Sequence, residues 1–331
     1  MTVIRTRLTD RLGLSTPIVS APMALVAGGR LAAAVSNAGG LGLIGGGYAG
    51  HLGAEPDLGA EWRAAGNAAV GIGFIMWALA GRNDPSILQA ALDRSPRCLF
   101  LSFPTEGSDF QKVMEQARKA DVPVMVQVQS VAVARAALDA GADVIVAQGT
   151  EAGGHGGDRA TMTLVPELAD LCATRARDTL VLAAGGIADG RGLAAALALG
   201  ADGVVVGSRF WSSREALTPE EHTEMAGRAT GDETLRTRDL DRARGLAWPE
   251  PYSFRVVQNA FVRSLHGTRP EFGSVASDYD AARRVGDLSV VPAVAGEAVG
   301  LIRDRPPAGM IVEAMTREAS ECLRRGASLV E

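Results

Sequence analysis

The chain is poor in lysine and cysteine, and it has no excess of positive charge. Its only lysines are Lys112 and Lys119, and 33 Lys and Arg residues face 38 Asp and Glu residues, for a formal net charge of −5. This balance argues against a nucleic-acid partner, because proteins of that class usually present a basic face. The three cysteines, Cys98, Cys172 and Cys322, are widely spaced and form no CxxC pair. They predict neither a disulfide framework nor a metal site, and they favour a reducing, cytoplasmic location.

Long apolar segments are also missing. No run of about 18 apolar residues is free of glycine and charge, so no membrane span is predicted. The first residues, MTVIRTRLTD, lack the apolar core of a secretory signal peptide. Apolar residues nevertheless make up 47% of the 331 residues, which is enough to bury the core of one large barrel with an appendage.

The sequence does contain a repeated alternation of apolar strands and amphipathic helices. Strands are predicted at 17–20, 41–44, 69–75, 98–102, 122–128, 144–147, 179–183 and 203–206. Helices are predicted at 29–38, 55–66, 85–94, 108–120, 131–140, 163–176 and 190–199, with another from near Ser208. Continuous apolar strands separated by helices indicate a parallel sheet covered by helices. Eight such units favour an α/β fold with a closed TIM (β/α)8 barrel over an open doubly wound sheet.

The pattern changes after residue 213. We therefore predict a barrel over residues 1–213 and a mostly helical extension over 214–331, packed on the barrel. Helices are expected at 251–266 and 308–328, loop signals occupy 236–249, and the stretch 267–292 is expected to be irregular because it is rich in Gly, Pro and Asp.

Active sites of TIM barrels lie at the C-terminal ends of the strands, so the residues after each predicted strand are the candidates. Ala21, Pro22 and Met23 follow the first strand, where the fixed φ of Pro22 gives a stiff turn against which a flat cofactor could lie. Gly45–Gly47 follow the second strand and let the backbone approach a ligand closely. Ordinary turns between a strand and a helix would give the same patterns.

Two polar side chains alternate in the fifth strand. Gln127 and Gln129 occupy positions that face the same side. Inside a barrel they need hydrogen-bonding partners. Ring nitrogens and oxygens of a bound cofactor would supply them, and neighbouring backbone is the alternative.

The most informative segment, AQGTEAGGHGG (147–157), follows the sixth strand. It sets His155 among five glycines directly beyond the strand end. An imidazole with an ordinary pKa near 6.5 is suited to proton abstraction at neutral pH. A solvent-exposed loop histidine is the alternative. Glu151 either tunes this site or is solvated, while His51, His222 and His266 have no comparable setting.

Glycine-bounded loops follow the last two strands. Ala184-Gly185-Gly186 ends the seventh unit, and Gly207-Ser208 opens a helix after the eighth. Exposed N–H groups at such a helix start form the phosphate site common in these barrels, so a phosphate-bearing ligand is predicted. Two tight turns are the alternative, and Arg209 either assists the site or is a surface charge.

Several segments together resemble nitronate monooxygenases. They are APMA (21–24), SNAGGLGLIGGG (36–47), VQVQS (126–130), AQGTEAGGHGG (147–157), AAGGIADGRG (183–192) and GADGVVVGSRF (200–210). The resemblance continues more loosely through TRDLDRARGLAWPEPYSFRVVQNAF (237–261). It implies a two-domain (β/α)8 fold that binds FMN non-covalently. It also implies that a small alkyl nitronate or nitroalkane and O2 are the partners, with a carbonyl compound and nitrite as products.

The resemblance also implies roles for individual residues. His155 matches the family's catalytic histidine. Gln127 lies at the position where many members of the family contact the flavin ring, and some members have Lys at that position. Ala21, Pro22 and Met23 would line the flavin, Phe74 aligns with a flavin-side strand end, and the last two loops would hold the phosphate. The full set of candidate cofactor contacts is Ala21, Pro22, Met23, Phe74, Gln127, Gln148, Gly149, Gly154, Ala184, Gly185, Gly186, Gly207 and Ser208.

Other functions are compatible with these residues. An NAD(P)H-dependent enoyl-acyl-carrier-protein reductase would share the phosphate loops and the histidine. A flavin-free sugar-phosphate epimerase or lyase would share the barrel and the phosphate site, and a binding module on a degenerate barrel is a non-enzymatic alternative. The sequence leaves open the physiological substrate, the use of neutral nitroalkanes, the reduction of the flavin by NAD(P)H and any association of copies of the chain.

Overall fold

Eight parallel strands pair side by side in one sheet within the part of the chain that the computed structural model describes, residues 2–48, 57–80, 86–105 and 110–330. Three further strands form a second sheet, so the described residues hold eleven strands. In chain order they are β1 (Ile18–Ser20), β2 (Leu43–Gly47), β3 (Gly71–Ile75), β4 (Leu99–Ser102), β5 (Val124–Val128), β6 (Val144–Gln148), β7 (Gly154–Gly156), β8 (Leu180–Ala184), β9 (Gly203–Val206), β10 (Thr234–Thr237) and β11 (Ser253–Val257). The eight-stranded sheet has the order β1-β9-β8-β6-β5-β4-β3-β2, and a parallel bridge between Val19 and Leu41 links its two ends. The predicted TIM barrel is confirmed, and every predicted strand overlaps an observed one.

Fifteen α-helices are described, and those that follow the barrel strands cover the outer face of this sheet. They are α1 (Arg7–Leu12), α2 (Gly29–Asn37), α3 (Leu58–Ala65), α4 (Met76–Ala80), α5 (Ser86–Leu92), α6 (Phe110–Lys119), α7 (Val131–Asp139), α8 (Thr161–Arg175), α9 (Gly190–Ala198), α10 (Ser208–Trp211), α11 (Glu220–Ala226), α12 (Asp239–Ala243), α13 (Ala260–Leu265), α14 (Ala276–Val285) and α15 (Ala308–Ala327). Ser130 and Asp189 cap α7 and α9 by accepting hydrogen bonds from first-turn N–H groups. Each helix predicted before residue 213 is found, although residues 55–56, 85 and 108–109 of three of them lie outside the described residues.

The strand residues divide between two cores. Because successive side chains point to opposite faces of a strand, Met125 and Val146 point into the barrel, where they pack with Leu43 and Phe100. The alternate positions, such as Val126, pack outward in the larger core beneath the helices. The barrel interior is therefore filled, which leaves its C-terminal end as the place for a ligand.

The last helix of the chain belongs to the outer layer of the barrel. α15 packs on α9 and α2, which flank β9 and β1. Its apolar face, including Ile311 and Met315, lies in the same core as the barrel helices. The predicted helix at 308–328 is confirmed. Since α10 is a single turn, α15 occupies the position of the helix that follows the eighth barrel strand. The division at residue 213 stays a prediction.

Between α10 and α15 the chain differs from two expectations. The helix predicted at 251–266 is wrong over its first half, where β11 pairs antiparallel with β10 and with β7. The ladder partners of β11 come from distant parts of the chain, so tertiary pairing overrides the local pattern. The stretch 267–292 is not irregular throughout, because α14 buries Tyr279 and Ala282 and ends at Gly286 in the left-handed conformation.

Candidate active site

The turn after β1 lies against glycines from neighbouring strands. Ala21, Pro22 and Met23 are half-buried there. A Cβ added at Gly73 would lie 2.4 Å from Pro22 Cγ, and one added at Gly45 would lie 2.4 Å from the carbonyl oxygen of Met23. The predicted stiff turn therefore packs directly on strands whose inward positions have no side chains, at the C-terminal end of the barrel.

Phe74 has a different environment from the other predicted contacts. Its ring is 1% exposed and packs in the outer core with Ile44 and Ile72. A Cβ at Gly46 would meet this ring at 2.4 Å. The side chain therefore belongs to the layer between strands and helices, whereas the neighbouring Gly73 contacts Pro22.

Three buried glutamines lie at the ends of β5 and β6, and two of them are hydrogen-bonded to each other. Gln129 Nε2 donates to Gln148 Oε1 at 2.8 Å, and Gln148 Nε2 donates to the carbonyl oxygen of His155 at 3.1 Å. Gln127 Nε2 and Gln129 Oε1 are buried and have no hydrogen-bond partner among the described residues. Leaving a buried amide unsatisfied costs about 1–3 kcal/mol, so these atoms indicate a polar partner from outside the chain.

The glycine loops after β8 and β9 adjoin each other. Ala184 and Val205 are paired in register, so the residues that follow them emerge from neighbouring strands. Gly185 and Gly186 have φ values of +100° and +73°, which favour glycine, and Gly186 is exposed. Gly149, beyond β6, donates its N–H to the carbonyl of Ala184 at 2.8 Å. A Cβ on Gly185 would lie 2.9 Å from the carbonyl oxygen of Gly149, so this loop requires glycine.

Gly207 and Ser208 are half-exposed beside this loop, as a phosphate site requires. Ser208 Oγ accepts a hydrogen bond from the N–H of Gly296 at 2.9 Å, which leaves its hydroxyl proton for another acceptor. Arg209 pairs with Asp304 instead, with 2.6 Å between Nη2 and Oδ1. Arg209 is therefore engaged by the chain after residue 213.

His155 is a buried strand residue. It lies in β7, opposite Phe254 of β11, and only 8% of it is exposed. Its imidazole is stacked between the rings of Trp248 and Phe254, with centroid distances of 3.4 and 4.5 Å. Gly154, with φ +75°, precedes it in β7. The alternative of a solvent-exposed loop histidine is therefore wrong.

The imidazole has an acidic partner. His155 Nε2 lies 2.7 Å from Asp241 Oδ2, and both side chains are almost fully buried. Burial lowers the pKa of His155, against the opposing effect of the Asp241 carboxylate. The lowered pKa makes the neutral imidazole the main form at pH 7. Asp241 was not predicted from the sequence, because TRDLDRAR contains two aspartates of similar appearance, Asp239 and Asp241, and burial alone distinguishes them.

Aromatic side chains are concentrated around this pair. The chain has 4 Trp, 3 Tyr and 8 Phe. Six of them form what we call the aromatic cluster, a connected set of ring contacts that also includes His155: Tyr48, Trp77, Phe103, Trp248, Tyr252 and Phe254. Trp248 Nε1 donates to the hydroxyl of Tyr48 at 3.1 Å, which joins the segment after residue 213 to the barrel.

Two arginines, of which Arg255 is buried and Arg236 is half-buried, hold the segment that carries His155. Arg236 Nη2 donates to the carbonyls of Thr150 and Ala152 at 2.9 and 3.0 Å, and Arg255 Nε donates to Thr150 at 3.0 Å. Burial lowers the pKa of Arg236 to about 10, which still leaves it charged at pH 7. Glu151 is not a solvated carboxylate, since it accepts hydrogen bonds from the N–H and hydroxyl of Thr161.

The remaining predicted features are located as follows. His222 lies on α11 and His266 follows α13, while His51 falls outside the described residues. The described residues hold no group of three or more His, Cys, Asp or Glu suited to a metal ion. Among those same residues, no helix has the length and apolar composition needed to cross a membrane.

A family model and curated relatives of the same name match most of this chain. A family model described as nitronate monooxygenase matches residues 5–58 and 80–318. A nitronate monooxygenase of Neurospora crassa is 34% identical over 93% of this chain and 90% of the relative. The structure of FabK from Thermotoga maritima superposes with a TM-score of 0.82 at 29% identity, covering 99% of this chain and all of the other. Nitroalkane oxidase from Streptomyces ansochromogenes has a TM-score of 0.78 at 28% identity and 97% and 99% coverage.

Proposed function

This chain belongs to the nitronate monooxygenase family of flavin-dependent enzymes, and from that premise we propose that it binds FMN and oxidises alkyl nitronates with O2 to a carbonyl compound and nitrite. We propose further that His155 acts as a general base on neutral nitroalkanes. The observation that carries the proposal is the buried His155–Asp241 pair, joined through Gln148 to the polar strand ends.

The strand ends fit a flavin with a phosphate tail. Gln127 Nε2 and Gln129 Oε1 need partners, and the edge of an isoalloxazine ring carries both acceptors and an N–H donor. The turn of Ala21, Pro22 and Met23 would lie along the ring, and Gly149, Gly154 and Ala184 shape the adjoining backbone. The loops of Gly185-Gly186 and Gly207-Ser208 would hold the phosphate through their N–H groups. When bound, the flavin supplies the redox step of the reaction, which the protein positions and tunes.

The side chains around His155 suit it to remove a carbon-bound proton. A nitroalkane has an acidic C–H next to the nitro group, and the neutral imidazole is the form that accepts a proton. The stacked rings of Trp248 and Phe254 exclude water from its faces. A preformed nitronate has already lost that proton, so its oxidation needs the flavin site but not the base.

The proposed reaction is tested on the purified protein. We expect a yellow protein that releases FMN on denaturation, consumes O2 when given an alkyl nitronate, and forms nitrite in step with O2 uptake. A colourless protein that binds a sugar phosphate would contradict the flavin and favour an epimerase or lyase. Fast anaerobic bleaching by NADH with slow bleaching by nitronate would instead favour the enoyl-acyl-carrier-protein reductase.

We also propose a reducing, cytoplasmic location. Cys98 and Cys172 are buried free thiols, and burial raises the pKa of Cys98 to about 12, so it is unreactive. Small nitronates or nitroalkanes and O2 would be the partners. Fractionation of cells with an antibody against the chain checks this location, and recovery with a secreted fraction would contradict it.

A further inference from the structure

Asp241 lies in α12, far along the chain from the barrel strands, yet its carboxylate meets the imidazole of β7. We propose that Asp241 is a positioning residue that keeps the proton of neutral His155 on Nε2, so that Nδ1 is the nitrogen that takes the substrate proton. This inference rests on the proposed function for its catalytic consequence, whereas the position of the proton can be tested without any reaction.

The chemistry of the two groups determines the position of the proton. A carboxylate has only acceptor atoms, so a hydrogen bond of 2.7 Å between Asp241 Oδ2 and His155 Nε2 requires the hydrogen on Nε2. A neutral imidazole has one N–H, which leaves the lone pair on Nδ1. Among the described residues Nδ1 has no hydrogen-bond partner, so it is available to a substrate.

The ring and the carboxylate are both held in place. Trp248 and Phe254 lie within 9° and 15° of parallel to the imidazole, which restricts the ring to its own plane. The only free rotation of the ring is about its Cβ–Cγ bond. A half turn about that bond would carry the ring out of this plane and put Cε1 in place of Nε2 beside the carboxylate, so the stacked rings and the hydrogen bond both oppose it. Asp241 is held in turn, because its backbone carbonyl accepts from Leu246 and its Oδ1 lies 3.7 Å from Arg244 Nη1.

Arg244 has a further contact that fixes its position. Its guanidinium lies over the ring of Tyr279 at 4.5 Å from the centroid, a cation–π contact. Tyr279 is buried on α14. The order of contacts is therefore Tyr279, Arg244, Asp241 and His155, and all but the last come from the chain after residue 213.

The proton transfer balances with these groups alone. The C–H bond next to the nitro group breaks, its electron pair stays on the substrate as the nitronate, and the proton forms an N–H bond at Nδ1. The resulting imidazolium has hydrogens on both nitrogens, and the Asp241 carboxylate stabilises it. Two other charges act on the ring, since Arg244 and Arg236 both disfavour the imidazolium, and burial disfavours it further. Asp241 is the only group of this set that favours it.

The substitution Asp241→Asn separates charge from shape. The amide of Asn can donate to Nε2, which moves the imidazole proton to Nδ1 and blocks the base. For neutral nitroalkanes we expect kcat/KM to fall by about 10²–10⁴-fold, the usual range for loss of general base catalysis. Activity on a preformed nitronate should change by less than about threefold.

Asp241→Glu keeps the carboxylate and should recover part of the loss. Asp278→Asn on exposed α14 surface is the matched control and should have no effect.

The position of the proton is measured directly by ¹⁵N NMR of the wild-type protein labelled at histidine. The chain has only 4 histidines, so the spectrum is simple to assign. His155→Asn assigns the His155 signals. We expect a protonated Nε2 and an unprotonated Nδ1 near neutral pH, and the reverse in Asp241→Asn. A wild-type proton on Nδ1 would overturn the proposal, as would equal losses on nitroalkane and nitronate in Asp241→Asn, which would indicate a purely structural role. If the wild-type protein oxidised no nitronate, the proposed function would fail while the NMR result still decided the position of the proton.

Discussion

The strand ends of the barrel and the chain after residue 213 contribute different groups to the site. The barrel supplies glycine loops, the turn at Pro22 and the inward amides of Gln127 and Gln129, all suited to holding a ligand. The later segment supplies Asp241 and Trp248, which set the charge and solvation of His155. In the proposed function the barrel would bind the cofactor, while the extension would tune the histidine that acts as the base.

The largest effect is expected from His155→Asn. It removes the base while the loops that would hold FMN remain, so bound flavin should stay near wild-type content. Activity on neutral nitroalkanes should fall by about 10²–10⁴-fold, with a much smaller loss on preformed nitronates. Initial rates of O2 uptake on both substrates check this. Full activity on both substrates would remove His155 from the mechanism.

A smaller effect is expected from Trp248→Ala, which removes a contribution of the extension. Opening one face of the imidazole to water relieves the desolvation that lowers its pKa, so the pKa of His155 should rise toward its ordinary value. The acid limb of kcat/KM for nitroalkanes should move to higher pH, and the rate should fall by roughly 10- to 100-fold because the ring is less well oriented.

Trp248→Phe retains a stacked ring and is the matched control, with a pH profile close to wild type.

Asp241→Asn should move the acid limb of kcat/KM in the opposite direction, to lower pH, because it removes the charge that raises the pKa of His155. Shifts of the same sign in Trp248→Ala and Asp241→Asn would show that desolvation and the carboxylate do not act on the imidazole as described.

Gly185→Ala tests the contribution of the barrel. A side chain at φ +100° is strained, and the new Cβ would lie 2.9 Å from the carbonyl oxygen of Gly149. Holding this backbone with a side chain costs about 1–3 kcal/mol, so the free loop should relax to another conformation. Binding the phosphate would then have to restore the strained conformation, and the affinity for FMN should fall by about tenfold. Fluorescence titration of the apoprotein with FMN measures it. Gly326→Ala is the control, because nothing lies within 4 Å of its added Cβ. Unchanged affinity in Gly185→Ala would argue against this loop as the phosphate site.

The smallest effect concerns the pH dependence of the wild-type protein. Folding lowers the pKa of His155 below its ordinary value. The stability that the neutral imidazole contributes is therefore complete above about pH 6.5 and is lost as the pH falls below that value. Urea unfolding at a series of pH values, compared with His155→Asn, should show a difference that is largest near neutral pH and shrinks with acidification. A difference that grows as the pH falls would reverse the sign and contradict a buried neutral imidazole.

The barrel could be predicted from the sequence because its signals are local. Runs such as Leu99–Ser102 are continuous, apolar and bounded by helices, and the His155 segment stands out by its glycines. The partner of His155 could not be predicted in the same way. Asp241 and Trp248 acquire their roles when β11 pairs with β7, a contact between segments about a hundred residues apart that no local periodicity encodes. Phe74 shows the converse, since a one-residue shift along β3 separates an inward glycine from an outward ring.

A neutral, buried imidazole beside a bound flavin is the central requirement of the proposed reaction. Anaerobic rapid mixing of the FMN-loaded protein with a nitroalkane, and separately with its nitronate, tests this directly by the bleaching of the flavin absorbance. We predict that the wild-type protein is bleached by both, and that His155→Asn is bleached by the nitronate at a near wild-type rate and by the nitroalkane only very slowly. Equal bleaching of His155→Asn by the two substrates would contradict the account.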